Sequence, residues 1–200
     1  MKIPSIELRD KRKIPQIGLG LWQVRDQAEF NVSFNAAVKA GYRHFDTAQA
    51  YNNEQFLGEA LKRSGLKRSE VYITTKIAVA NFGHKKTLKA FEASLERLQT
   101  NYVDLLLLHF PVTLLRKSSW QALEEMKAFA QEMPAVNQVE LHLFLQQPEL
   151  ITYCQGHNIA VEAYSPLAHA KEMNEPLIIE IAKKYKKSYA QIMLRWSAVM

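Results

Sequence analysis

Residues 42–76 read YRHFDTAQAYNNEQFLGEALKRSGLKRSEVYITTK, and the order of patterns in this stretch decides the fold class. Tyr42 to Asp46 and Val71 to Lys76 have the apolar and β-branched composition of strands. Between them the sequence predicts a helix that Asn53 caps and Gly65 ends. Two strands joined through a helix form a parallel pair with a right-handed crossover, so the stretch predicts an α/β protein.

The same alternation extends over the rest of the chain. Residues 5–17 predict an N-terminal hairpin, and residues 1–200 are interpreted as one domain because no linker, repeat or low-complexity segment interrupts them. Periodicity leaves open whether the parallel strands form a closed barrel or an open, doubly wound sheet. The segment Ile17 to Trp22 lacks the third glycine of a Rossmann dinucleotide fingerprint. Further strands are predicted at residues 17–22, 103–109, 135–140 and 159–165, and further helices at 27–40, 84–99, 119–131, 176–187, 189–199 and from Pro148 onward.

Composition narrows the class of protein and of partner. A hydrophobic fraction of 48% over 200 residues supports one packed core, although a complete (β/α)8 barrel takes about 250 residues. The net charge of +6 comes from lysines spread over helix faces rather than from an aromatic-interleaved basic stripe, so no nucleic-acid partner is expected. The longest aliphatic run, Leu105 to Leu108, is far too short to cross a membrane. A single cysteine, Cys154, fits a cytoplasmic protein.

Polar side chains stand at the carboxyl ends of five predicted strands. Each has a simple structural explanation: Asp46 can cap a turn, Lys76 and Tyr164 can reach solvent, and His109 can be a buried core histidine. In a parallel barrel, however, all carboxyl ends lie on the face where active sites are built. The five residues are Asp46, Lys76, His109, Glu140 and Tyr164. Their convergence therefore predicts a catalytic site.

The segments around these strand ends resemble the aldo-keto reductase family. Residues 41–54, GYRHFDTAQAYNNE, are similar to the family's first signature. The resemblance runs from Ile6 to Trp196 and is nearest to bacterial-type members that reduce dicarbonyls and sugars. It implies a (β/α)8 TIM-type barrel that reduces a small-molecule aldehyde or ketone to the alcohol with NADPH. Further matching segments are ITTK at 73–76, LLHFP at 107–111, PAVNQVE at 134–140, AYSPL at 163–167 and AQIMLRW at 190–196.

The resemblance also implies roles for individual residues. Tyr51 would protonate the alkoxide formed by hydride transfer, Lys76 would favour the resulting phenolate, and Asp46 would hold Lys76 charged and oriented. His109 would donate a hydrogen bond to the carbonyl oxygen, and no metal is needed. The implied cofactor-binding residues are Gly20, Leu21, Trp22, Asp46, Gln138, Tyr164, Ser165 and Leu167. The implied substrate-contacting residues are Trp22, Ala50, Tyr51, His109 and Phe110, although Trp22 and Phe110 can equally be core residues.

The sequence departs from the family pattern in two places. Between Met126 and Pro134 the family has a strand that ends in a Ser-Asn pair, flanked by helices; roughly 20 residues, most of one βα unit, are missing here. After Met200 the family continues with an eighth strand and with basic residues that bind the 2′-phosphate of NADP. The sequence therefore predicts an incomplete barrel. A natural deletion, an engineered deletion and a sequence from which residues are omitted would each produce it.

These departures leave two alternatives beside a working reductase. The first is a catalytically silent relative that binds a nucleotide or a protein partner. The second is a barrel isomerase or lyase in which Lys76 forms a Schiff base with the substrate.

Overall fold

The computed structural model describes residues 3–110, 112, 117–121, 123, 134–170 and 174–199. The chain forms two compact units. One unit comprises Met1–Ser5 with Ile14–Glu132, and the other comprises Ile6–Lys13 with Met133–Met200. No helix within the described ranges is long and apolar enough to cross a membrane. Residues 127–133, where a βα segment is predicted to be missing, lie outside the described residues.

The first unit contains a four-stranded parallel sheet, and its strands are neighbours in the order in which they occur along the chain. The predicted alternation of strands and helices is confirmed here; three of the four strands are shorter than predicted, and β5 has the predicted length but lies one residue further along the chain. A two-stranded N-terminal sheet of β1 (Ser5–Glu7) and β2 (Lys13–Pro15) precedes it. The four strands are β3 (Leu19–Gly20), β4 (His44–Asp46), β5 (Tyr72–Ile77) and β6 (Leu105–Leu108), and the helices between them are α1 (Gln27–Ala40), α2 (Glu54–Ser64) and α3 (His84–Leu98).

The core of this unit lies between the sheet and helices α1 and α2. Phe30 and Phe34 of α1 are fully buried, and the Phe34 ring lies 4.8 Å, centroid to centroid, from that of Phe45 in β4. Leu57 of α2 and Ile73 of β5 complete the same cluster. Full burial of one such side chain contributes roughly 1.5–3 kcal/mol, so this cluster fixes the helices against the strands that carry the polar residues.

Helices α1 and α2 both begin where the sequence predicts, but only α1 is capped by a side chain. Asp26 caps α1, because its side chain accepts hydrogen bonds from the N–H groups of Ala28 and Glu29, both at 2.9 Å. Asn53 occupies the cap position of α2, as predicted, but its side chain makes no capping hydrogen bond to that helix. The Asn53 amide instead donates to the carbonyl oxygens of Leu21 at 2.8 Å and Val24 at 2.9 Å. A fully buried amide is more stable with two buried carbonyl partners than at a helix end.

The described residues of the second unit, 134–170 and 174–199, form one parallel strand pair and three α-helices. Strand β7 (Val136–Glu140) pairs with β8 (Ala160–Tyr164), and α4 (Pro148–Gly156) lies between them in sequence. Helix α5 (Pro176–Tyr185) and helix α6 (Tyr189–Ser197) follow. Ser188 caps the last helix, because its Oγ accepts a hydrogen bond from Gln191 N–H and the Gln191 side chain accepts one from Ser188 N–H.

Candidate active site

Two neighbouring strands of the first unit bring an acid and a base together. Asp46 ends β4, and Lys76 lies near the carboxyl end of β5, with Asp46 in register with Thr74. The Lys76 ammonium forms an ion pair with Asp46 Oδ1 and donates to the Thr47 carbonyl oxygen at 3.2 Å. The side chain of Lys76 is only 4% exposed. A cation buried to this extent requires such partners, so Asp46 and Thr47 fix the position of the ammonium.

Tyr51 lies beside this ammonium. It is the last residue of a single helical turn, Gln49–Tyr51, that follows β4. Asn52 then takes a left-handed conformation, with φ 56°, and ends the turn. Lys76 Nζ lies 3.3 Å from Tyr51 Oη and 5.0 Å from the centroid of its ring. The phenol oxygen therefore receives a hydrogen bond from a group whose positive charge favours the phenolate over the phenol.

His109 follows β6 and completes the group. Its backbone N–H donates to the Ile77 carbonyl oxygen at 3.0 Å, which holds the residue against the end of β5. Its ring meets that of Tyr51 edge to face, with centroids 5.6 Å apart. Burial, and after it the Lys76 ammonium, lower the pKa of His109 from its usual value of 6.5, while Asp46 acts in the opposite direction. The imidazole is therefore neutral at neutral pH and offers one N–H donor and one acceptor.

One nitrogen of this imidazole has no hydrogen-bond partner. His109 Nδ1 is buried, and no described atom bonds to it. A buried polar atom without a partner costs about 1–3 kcal/mol, so this imidazole is less stable in its place than a fully hydrogen-bonded one would be.

The residues of the first unit that are predicted to contact the substrate or cofactor differ in their exposure. Trp22 and Phe110 are more than half exposed, and the Phe110 ring stacks on that of His109 with centroids 4.4 Å apart. Gly20 pairs with Asp46 across the sheet. Ala50 is exposed beside Tyr51. Leu21, in contrast, belongs to the buried core, so only its backbone can meet a ligand.

The remaining predicted cofactor residues lie in the second unit. Gln138 and Glu140 belong to β7, and Glu140 is in register with Tyr164 at the end of β8. The Tyr164 ring is 42% exposed, and partial burial together with the Glu140 carboxylate raises its pKa above 10.0. Ser165 follows with φ 52°, and Leu167 packs against the cluster formed by Ala168, Ile178 and Met193.

Sequence reasoning missed several polar residues around these groups. Two histidines, His142 and His169, place their Nε2 atoms 3.4 Å from Glu140 Oε1. In the first unit, Gln49 and Glu54 are buried and hydrogen-bonded across the structure. Their only signal in the sequence is that polar residues flank Tyr51 on both sides, which does not reveal partners 21 and 45 residues away.

Comparisons with known proteins point to one family. The sequence model of the Aldo/keto reductase family matches residues 16–130 and 115–175. The 9,11-endoperoxide prostaglandin H2 reductase of Trypanosoma cruzi is 39% identical in an alignment of 216 positions, which covers 96% of this chain and 76% of that protein. The glyoxal reductase of Bacillus subtilis is 39% identical in an alignment of 214 positions, which covers 96% of this chain and 78% of that protein.

Solved structures give the same result. The crystal structure of an aldo/keto reductase from Brucella melitensis matches with a TM-score of 0.90 at 39% identity, over 98% of this chain and 84% of that one. The Bombyx mori aldo-keto reductase, solved in complex with NADP, matches with a TM-score of 0.87 at 27% identity, over 98% of this chain and 80% of that one.

Proposed function

The chain belongs to the aldo/keto reductase family, and we propose that it is an NADPH-dependent reductase that converts an aldehyde or ketone into the corresponding alcohol. Its fold is the (β/α)8 barrel of the solved relatives, in a form that is incomplete relative to them. The observation that carries the proposal is the contact of the Tyr51 hydroxyl with the buried, ion-paired ammonium of Lys76.

Tyr51 is the proposed proton donor. When the reduced nicotinamide is bound, it supplies the hydride that adds to the carbonyl carbon. The Tyr51 hydroxyl then gives its proton to the carbonyl oxygen, and the phenolate left behind is stabilised by Lys76 Nζ at 3.3 Å. Asp46 keeps that ammonium charged and prevents it from turning away from Tyr51. Because Lys76 is held by three acceptors, its charge is in place before the reaction begins.

His109 is the proposed orienting residue. Because its pKa is lowered, the neutral ring contributes a hydrogen bond and not a second positive charge. Its unpartnered Nδ1 and its edge-to-face contact with Tyr51 suit a group that directs the substrate oxygen toward the phenol.

NADP(H) is the proposed cofactor. The exposed Tyr164 ring, at the carboxyl end of β8, suits stacking against a planar nicotinamide, and Gln138 on the preceding strand can bind its carboxamide. Ser165 and Leu167 would contact the pyrophosphate. A net charge of +6 favours a phosphorylated ligand, and a family member from Bombyx mori was solved with NADP. We also propose a cytoplasmic location, on the ground that the one cysteine, Cys154, is free and buried.

The test is the loss of activity in a single-atom variant. Oxidation of NADPH in the presence of glyoxal would be followed for the wild type, for Tyr51→Phe and for the control Tyr185→Phe, whose side chain is 61% exposed. We expect Tyr51→Phe to lose roughly 10²- to 10⁴-fold in kcat while it still binds NADPH, and the control to match the wild type. Near-normal turnover by Tyr51→Phe would remove Tyr51 from the mechanism.

Two other functions are distinguished by the same measurements. The first is a catalytically silent member of the family, an alternative suggested because the chain spans only 76% to 78% of the two relatives above. Such a protein would bind the nucleotide without turnover. A Schiff-base enzyme needs a neutral, accessible amine, and Lys76 is instead buried and ion-paired. After borohydride treatment in the presence of a carbonyl compound, peptide mapping by mass spectrometry should therefore find Lys76 unmodified.

A further inference from the structure

The side chain of Gln49 makes four hydrogen bonds, the full number that a carboxamide can form. Its Oε1 accepts from Ala78 N–H at 2.9 Å and from Asn81 Nδ2 at 2.8 Å. Its Nε2 donates to the Ala90 carbonyl oxygen and to Ser94 Oγ, each at 2.9 Å. The residue is only 9% exposed, so water cannot substitute for these partners.

These bonds join the two segments that carry Tyr51 and Lys76. Gln49 is the first residue of the turn that ends with Tyr51, and Ala78 follows Lys76 by two positions. Asn81 belongs to the turn that comes next in the chain. The carboxamide therefore fixes the base of the Tyr51 turn against the chain that leaves β5, and both segments against α3 by way of Ala90 and Ser94.

A second set of contacts closes the connection from the other side. Arg97 Nη2 lies 3.2 Å from Ser94 Oγ and 2.6 Å from Glu54 Oε2. Glu54 Oε1 accepts from Thr75 Oγ1 at 2.6 Å, and Thr75 is the residue before Lys76. Glu54 itself follows Tyr51 by three positions and is 1% exposed. The side chains of Gln49, Ser94, Arg97, Glu54 and Thr75 thus form one continuous series of polar contacts that begins in the Tyr51 turn and ends one residue before Lys76.

We infer that Gln49 is a positioning residue, which sets the distance between the Tyr51 hydroxyl and the Lys76 ammonium without contacting the substrate. The inference rests on the proposed function for its catalytic meaning. Lys76 is held on its own side by Asp46 and Thr47, and Gln49 adds four hydrogen bonds that tie the Tyr51 turn to the chain after β5 and to α3. Without them the turn can move away from the ammonium, and the phenolate then loses its stabilising charge.

The experiment replaces Gln49 with methionine, a side chain of similar length without hydrogen-bonding groups. The matched control is Gln55→Met on the exposed face of α2, where the amide bonds only to Glu59 among the described residues. We expect Gln49→Met to lose about tenfold or more in kcat, short of the 10²- to 10⁴-fold cost of removing a general acid, with KM and cofactor binding nearly unchanged. The basic limb of its kcat profile should move to higher pH, because a phenol farther from the ammonium ionises less readily.

A second readout does not depend on activity. The chain would be labelled with ¹³Cζ-tyrosine, the Tyr51 resonance assigned by its loss in Tyr51→Phe, and its titration followed by NMR. The Tyr51 midpoint should rise in Gln49→Met and stay unchanged in Gln55→Met. Ser94→Ala, which removes one of the four partners and keeps the core filled, should shift it in the same direction by less, and it provides the test if Gln49→Met does not fold.

The outcomes separate this inference from the proposed function. If the wild type does not reduce carbonyl compounds but the Tyr51 midpoint rises in the Gln49 variant, the proposed function fails and the positioning role stands. If the wild type is active and the Gln49 and Ser94 variants keep the wild-type midpoint and pH profile, the positioning role is overturned, even where kcat falls through loss of stability.

Discussion

The close approach of helices α2 and α3 at Gly58 gives a prediction whose size can be worked out from the structure. A Cβ atom added to Gly58 would lie 2.7 Å from the carbonyl oxygen of Arg97 and from the carbonyl carbon of Leu98. Contacts this short do not occur, and both neighbours are backbone atoms that no rotamer change can move. Gly58→Ala must therefore push the two helices apart.

The expected cost follows from two opposing effects. Overpacking of this kind costs typically 1–3 kcal/mol, and the higher helix propensity of alanine returns roughly 0.5–1 kcal/mol. These ranges give a net loss in unfolding free energy of about 1 kcal/mol at their midpoints and of about 2.5 kcal/mol at most. For a chain of this length each kcal/mol shifts Tm by roughly 2–4 °C, so we expect Tm to fall by about 2–4 °C at the midpoint and by about 10 °C at most. Separation of the helices also strains the Glu54–Arg97 ion pair that joins them.

The assay is thermal unfolding followed by circular dichroism, with Gly156→Ala as the matched control. Gly156 is also helical, but a Cβ there would meet no atom within 4 Å. The control should keep or raise the wild-type Tm, since only the propensity effect remains. A Tm for Gly58→Ala equal to or above that of the wild type would refute the close packing of α2 on α3.

Two further predictions concern buried polar groups. Burial lowers the pKa of His44 from 6.5 to about 4, so between these pH values the unfolded chain binds a proton that the folded chain does not. The contribution of His44 to the unfolding free energy, about 3 kcal/mol, should therefore be complete above pH 6.5 and lost as the pH falls toward 4. Urea unfolding across this range should show a weaker acid dependence in His44→Asn than in the wild type, and a parallel dependence would contradict the shift. The Arg68 guanidinium stacks 3.9 Å above the Tyr102 ring and donates hydrogen bonds to Thr100, Val71, Tyr102 and Asp104. A lysine ammonium cannot form this planar set of bonds, so Arg68→Lys should lose about 1–3 kcal/mol of unfolding free energy. Arg63→Lys, at an exposed ion pair, should change it by less than about 1 kcal/mol, and equal effects at the two positions would be evidence against the Arg68 contacts.

Local sequence signals explain how much of the fold could be predicted. Helix α1 was predicted with its correct ends, 27–40, and the two residues that define those ends in the structure, Asp26 and Gly41, act within one turn of the helix. The polar residues at strand ends could be found because parallel strands place their carboxyl ends together, and Asp46, Lys76 and His109 do lie together with Tyr51.

Long-range contacts explain what could not be predicted. Asn53 has the composition of a cap, but the carbonyl groups that it binds lie 29 and 32 positions earlier in the chain. Burial also departs from composition: the four leucines of β6 are only partly buried, whereas all six residues of β5, Lys76 included, are buried. The role of Gln49 depends on partners up to 45 residues away, and no local pattern encodes them.

The most direct test of the central claim is transfer of deuterium from the cofactor to the substrate. The purified chain would be given NADPH deuterated at C4 of the nicotinamide together with glyoxal in ordinary water, and the alcohol product would be analysed by mass spectrometry. A carbonyl reductase delivers hydride from the cofactor to the carbonyl carbon, so the product should carry one deuterium on that carbon, and Tyr51→Phe should form little of it. Binding of NADPH without a deuterated alcohol in the wild type would contradict the reductase assignment while leaving membership of the family intact.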